Sequence, residues 1–138
     1  MPNGIDLIVA EHELVDTLFA EFDSTRHGSL VGQIIDALIA HDDAEHAALY
    51  PLAADLLGDT DLLARSSAAH SAVKRQIDLI KFLEGPPLVD AVGVLRALVN
   101  DHVADEEQNL LPALGAAATP DQLEALAGRF MQAKQRVG

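Results

Sequence analysis

Cysteine is absent from all 138 residues. Its absence excludes disulfides, thiolate nucleophiles, iron–sulfur clusters and cysteine-type zinc sites, and it permits a reducing compartment. Basic residues are scarce, with nine Lys and Arg against 22 Asp and Glu, a formal net charge of −13. Such a surface opposes binding to nucleic acid or to an anionic membrane, and it favours cations. Long apolar runs are missing as well. The opening Met-Pro-Asn-Gly-Ile-Asp has no basic region and no hydrophobic stretch, so neither a signal peptide nor a membrane span is expected and the expected setting is cytoplasmic. Aromatic residues make up only 4%, and no stretch alternates apolar and polar residues convincingly, which leaves no candidate strands.

What remains is a helical composition. Hydrophobic residues reach 49%, mostly Ala, Leu and Val. The length suits one domain over residues 1–138. Apolar residues at spacings of three and four predict a helix from about Ile5 to Phe22, with Asn3 as its cap, and a second from near Leu30, kinked late at Pro51 and ended by Gly58. Asp59, Thr60 and Asp61 offer capping oxygens to a third helix from about Leu62 to Leu83, which Gly85-Pro86-Pro87 stops. A fourth runs from about Leu88 to Leu111. A short fifth opens at Thr119-Pro120 and ends near Gln135. Short turns between the first four make an all-α, up-down-up-down four-helix bundle the expected fold, with the additional C-terminal helix packed across it.

Two stretches echo each other at an offset of 61 positions: His41 to Pro51 reads HDDAEHAALYP, and His102 to Pro112 reads HVADEEQNLLP. Each carries His-x-x-x-Glu, which on a helix places an imidazole and a carboxylate on one face. Both pairs lie on apolar stripes, and the stripes of the first and third helices are interrupted by His12 and His70. A bundle rarely buries two carboxylates without compensation, and a cation compensates both at once. Four imidazoles and two carboxylates exceed one tetrahedral zinc site. Two ions bridged by Glu45 and Glu106, with two histidines each, use every ligand; iron or manganese with an oxo or hydroxo bridge is the economical choice.

The order His, His-x-x-x-Glu, His, His-x-x-x-Glu on four consecutive helices, together with the Leu49-Tyr50-Pro51 ending, resembles the haemerythrin family, specifically its HHE cation-binding branch. The resemblance covers residues from about 5 to 112. It implies a non-haem di-iron centre held by His12, His41, Glu45, His70, His102 and Glu106, with two iron ions in preference to manganese or zinc. It also implies a small diatomic ligand or peroxide as the partner, for sensing, scavenging or detoxification. Peroxide decomposition in the manner of a catalase and iron storage or delivery are the alternatives. The sequence departs from oxygen-carrying members on the third helix, where Ser66 and Lys74 stand one turn either side of His70 in place of a second histidine. His46 replaces the usual second acid, which survives in the other motif as Glu107. His46 is expected in an outer layer or at the surface, Tyr50 at the boundary with a solvated hydroxyl, and His27 inert in a turn. Asp42-Asp43 and Asp105 to Glu107 are expected as solvated surface around the inward Glu106.

Overall fold

The computed structural model describes residues 3–58 and 60–137, and every element among them is helical. Helix α1 spans Gly4–Thr25 and α2 spans Ser29–Ala44. A π-helical turn, π1, follows at Glu45–Leu49 and runs into α3 at Tyr50–Leu57. The second half repeats the plan: α4 at Asp61–Ile80, α5 at Gly85–Asp105, π2 at Glu106–Leu110 and α6 at Leu111–Ala117. Helix α7, Pro120–Val137, completes five rods. With 18 residues it is a full-length helix rather than the short appendage expected. None of the described helices is long and apolar enough to cross a membrane.

The caps explain the starts. Asn3 accepts a hydrogen bond from the Ile5 N–H at 2.8 Å, as the sequence suggested. Thr119 and Gln122 close a reciprocal capping box on α7, at 3.2 and 2.9 Å. Thr60 precedes α4 without a side-chain capping bond, and Asp59 lies outside the described residues. Gly85 differs from expectation. It takes φ 65° and opens α5, with two prolines in the first turn, whereas α4 has already ended at Ile80.

The late kink expected at Pro51 is a widened turn. Proline lacks an N–H, and its ring collides with the carbonyl four residues back. Both long rods absorb this by inserting one residue just before the proline: the Tyr50 N–H reaches back to the Glu45 carbonyl, and the Leu111 N–H to that of Glu106. The two π turns begin on the two glutamates of the repeated motif.

The apolar interior falls into two clusters. One gathers Phe19, Phe22, Ile34, Ile77 and Leu95 with their neighbours; the other gathers Ile8, Leu49, Leu110, Leu114, Leu126 and Phe130 with theirs. Between them lies a polar layer. Along α1 the order is Ile8, His12, Val15, and along α2 it is Leu38, His41, Ala44. Helix α7 packs on α1, α2 and π1, and Gly4 admits it closely, since a Cβ there would stand 2.4 Å from Leu126 Cγ.

Candidate metal centre

The polar layer contains all six residues singled out in the sequence. His12, His41, His70 and His102 are each 7% exposed or less, and Glu45 and Glu106 are fully buried. They converge as two groups that share both glutamates, His12–His41–Glu45–Glu106 and Glu45–His70–His102–Glu106. His12 Nε2 lies 3.3 Å from Glu106 Oε1, and His41 Nε2 lies 3.4 Å from Glu45 Oε1. His70 Nε2 lies 3.0 Å from Glu45 Oε1, and His102 Nε2 lies 3.2 Å from Glu106 Oε2. His27 is exposed and far from the layer in sequence and burial.

These residues fit a pair of cations. Donor atoms about 2.0–2.2 Å from one ion stand roughly 2.9–3.5 Å apart, which is the spacing found. The donors do not satisfy one another: His12 Nε2, His41 Nε2, both oxygens of Glu45 and Glu106 Oε1 are buried without a hydrogen-bond partner. Two buried carboxylates left so would each cost several kcal/mol, on the order of a lost ion pair. Bridging carboxylates and neutral imidazoles on facing helices are the donor set of a two-metal centre.

Outside the six, the structure adds partners that the sequence reading placed elsewhere. Glu107 is half-buried, with one oxygen turned inward. It accepts from His12 Nδ1 at 2.6 Å. Glu11, unremarked in the sequence, accepts from His41 Nδ1 at 3.2 Å, and Lys134 of α7 pairs with its other oxygen. A signal for Glu11 existed, because it stands three residues after Ile8 on the buried stripe. With Nδ1 donating to a carboxylate, Nε2 is left as the lone-pair nitrogen facing the layer. Asp42 is also misplaced by the sequence reading, since its carboxylate packs against His70 Nδ1. Asp105 does lie at the surface, in a two-bond pair with Arg65 at 2.8 and 3.1 Å.

Tyr50 corrects a further expectation. Its hydroxyl is turned inward, 3.0 Å from His70 Nε2 and 3.5 Å from Glu106 Oε2. Burial and the charges of Glu45 and Glu106 push its ionisation far above the usual phenol range. His46 behaves as expected, half-exposed with Nε2 3.1 Å from His70 Nδ1. Phe130 meets the His41 ring edge-on, with centroids 5.5 Å apart.

The imidazoles are electrostatically unequal. Burial opposes a charge on His41, but the Glu45 carboxylate and bonds to Glu11 and Glu45 raise its pKa to about 10. Burial likewise opposes a charge on His102, and bonds to Glu106 and Glu45 outweigh it, raising it to about 9. His70 is lowered to about 3, by burial first and the neighbouring His102 second. Burial would raise Glu45, yet the His41 charge and its bonded neighbours hold it well below the usual carboxylate range. Without metal, the two carboxylates favour the protonated forms of His41 and His102.

A cavity of about 40 Å³ opens onto the layer, enough for a water-sized guest. Val15, Leu38, Val73, Ile77, Val99 and Val103 line it together with the four histidines. Lys74 and Asp42 also contribute to its wall.

Comparison with known proteins gives three likenesses. The family model described as the Hemerythrin HHE cation binding domain matches residues 3–114. A DNA nickase of Nostoc sp. is 31% identical over 138 residues, 96% of this chain. The chain spans only 39% of that protein's length. The crystal structure of a hemerythrin HHE cation binding domain-containing protein from Mycobacterium kansasii matches with a TM-score of 0.85 and 20% identity, covering 99% of this chain and 88% of that one. At that identity the likeness is one of fold.

Proposed function

Because the chain belongs to the haemerythrin HHE cation-binding family, we propose that it is a di-iron protein that binds a small ligand inside the bundle. The ligand is dioxygen, nitric oxide or peroxide, and the role is sensing, scavenging or detoxification. His12 and His41 would hold one ion and His70 and His102 the other, with Glu45 and Glu106 offering carboxylate oxygens to both. Residues 1–138 act as one domain in a cytoplasmic setting. The four ligand-bearing rods run up-down-up-down, and α7 closes the end occupied by Phe130.

The observation that carries this reading is the set of unpartnered Nε2 and carboxylate atoms meeting between two apolar clusters. When bound, an iron pair supplies reversible one-electron chemistry and open positions for an exogenous ligand. The protein's own residues do the rest. Glu11 and Glu107 fix the tautomers of His41 and His12. The valine-rich cavity wall excludes bulk water and admits a small, weakly polar guest. Tyr50 holds an O–H at the edge of the layer, where it can donate to a ligand. That donor also supports the enzymatic alternative, peroxide decomposition, because cleaving peroxide needs protons at its oxygens. The nicking activity of the Nostoc relative is not carried across. The shared part is a minority of that protein, and a net charge of −13 opposes a phosphate backbone.

The test is metal analysis with an optical spectrum after iron-replete expression. About two iron ions per chain and a charge-transfer band that responds to azide or nitric oxide are expected. A colourless protein without transition metal would overturn the reading.

A further inference from the structure

We propose that Asp42, His46 and the outward nitrogen of His70 form a separate, solvent-facing site for a divalent cation, through which the inner pair is loaded and exchanged. The proposal rests on the inner layer being a metal centre. His70 works on two sides. Its Nε2 faces inward, 3.0 Å from Glu45 Oε1 and 2.9 Å from His102 Nε2. Its Nδ1 faces outward, 3.1 Å from His46 Nε2 and against Asp42 Oδ1. His46 Nε2 and Asp42 Oδ1 are 3.4 Å apart. One tetrahedral ion with bonds of about 2.0–2.1 Å holds its ligands about 3.3 Å apart; the two edges to His46 match that spacing, and the Asp42–His70 edge, a direct contact without metal, opens to admit the ion.

Two imidazoles and a carboxylate brought together in this way are also the donor set of a divalent cation. The nearly buried Asp42 carboxylate faces His70 Nδ1, His46 Nε2 and Lys74 Nζ together. His70 Nδ1 and His46 Nε2 stand at hydrogen-bond distance, 3.1 Å, and an ion bound between them replaces the proton they share. At the rim, Lys74 Nζ stands 3.8 Å from Asp42 Oδ2, where an arriving ion would displace it.

The repeat within the chain sharpens the point. The position 61 residues after His46 is Glu107. There a carboxylate takes the His12 Nδ1 proton at 2.6 Å and closes that side. In the first motif a second imidazole occupies the place, and it is 46% exposed while every inner donor is nearly covered. The trio therefore runs from solvent to the inner layer. It also adjoins the less supported half of that layer. His41 and His12 are each backed by a glutamate, whereas His102 Nδ1 is buried with no partner. Ligands without an outer partner hold metal more weakly. The ion on His70 and His102 is the one that exchanges, and Asp42 and His46 stand at its door.

The experiment uses zinc alone as the probe, on the metal-free full chain, His46→Ala and Lys74→Gln. Binding is followed by calorimetry, and loading by stopped flow against a chromophoric zinc chelator. The wild type should take up a third, weaker equivalent, with the Nδ1 proton of His70 released to buffer as that nitrogen becomes a ligand. His46→Ala should lose that equivalent, keep two, and load them at least about tenfold more slowly, the scale of an outer-partner loss. Lys74→Gln should bind the third equivalent more tightly. Two equivalents loading at the same rate in wild type and His46→Ala would overturn the outer site and leave the inner pair standing. No zinc uptake by any of the chains would remove both.

Discussion

If His41 and His102 carry protons in the metal-free protein, loading the centre must expel them. Their pKa values are about 10 and about 9. At pH 7.5 a group titrating at about 9 is still ~97% protonated, so these two imidazoles together hold about two protons per chain. His70, lowered to about 3, holds none there. Zinc added to metal-free protein in weak buffer with a pH indicator should therefore release about two protons per chain near pH 7.5. The yield should fall toward about one near pH 9.5, where the groups are already partly deprotonated. Water on the metal would contribute the opposite trend, since its own ionisation rises with pH. Glu11→Gln should reduce the yield at high pH, because it removes one of the bonds that keep the His41 proton. A yield well below one proton at pH 7.5, or one that climbs with pH, would refute the view that the empty layer is neutralised by imidazolium.

The same two groups give the metal-free protein an alkaline weakness. Their pKa values lie above the unfolded value of about 6.5, so the stability they contribute is complete below that pH and is lost as pH rises through about 9 to 10. Melting temperatures of the metal-free protein should fall across that range, while those of the loaded protein fall instead toward about pH 5, as its histidines are reclaimed by protons; parallel curves would contradict this. His41→Ala and His102→Ala should each lower metal content by elemental analysis, and His27→Ala should leave it unchanged; equal content in all three would sink the ligand assignment. Gly4→Ala should destabilise the fold by about 1–3 kcal/mol through overpacking against Leu126, seen as a drop of several degrees in thermal melting. An unchanged midpoint would mean that α1 and α7 can part without penalty.

The helices and the convergence of the six inward residues were legible because both rest on one periodicity. Residues four apart share a face, and a polar pair on an apolar stripe stands out against it. The partners of the imidazoles were harder to read. Glu107 and Asp42 sit in acidic runs that look like solvated surface, and only the packing of α1 against π2 and of α4 against α2 turns one member of each run toward a histidine. Tyr50 reads in the sequence as a boundary aromatic with its hydroxyl in solvent. The inserted residue of π1 changes its direction, and no residue type in EHAAL announces a π turn; the only sequence cue is the proline that follows. Lys134 was out of reach for another reason. Its partner Glu11 lies 123 residues away, and nothing local to α7 says which face meets α1.

The paired π turns have a consequence for how this chain can change over time. Each residue of an α-helix advances the angular phase by about 100°. One added residue therefore resets the orientation of everything that follows it, while leaving everything before it untouched. In each long rod the reset falls between the His-x-x-x-Glu stretch and the buried leucines beyond it, Leu49 in one half and Leu110 and Leu114 in the other. Excising a single codon from either turn would keep the upstream pair intact and swing the downstream apolar residues, with Tyr50 in the first rod, off the interior. The metal layer and the apolar end beneath it are thus two independently phased modules on the same rod. The end containing α3, α6 and α7 can be repacked by substitution without turning a ligand, except at Tyr50, Phe130 and Lys134, which reach up to the layer.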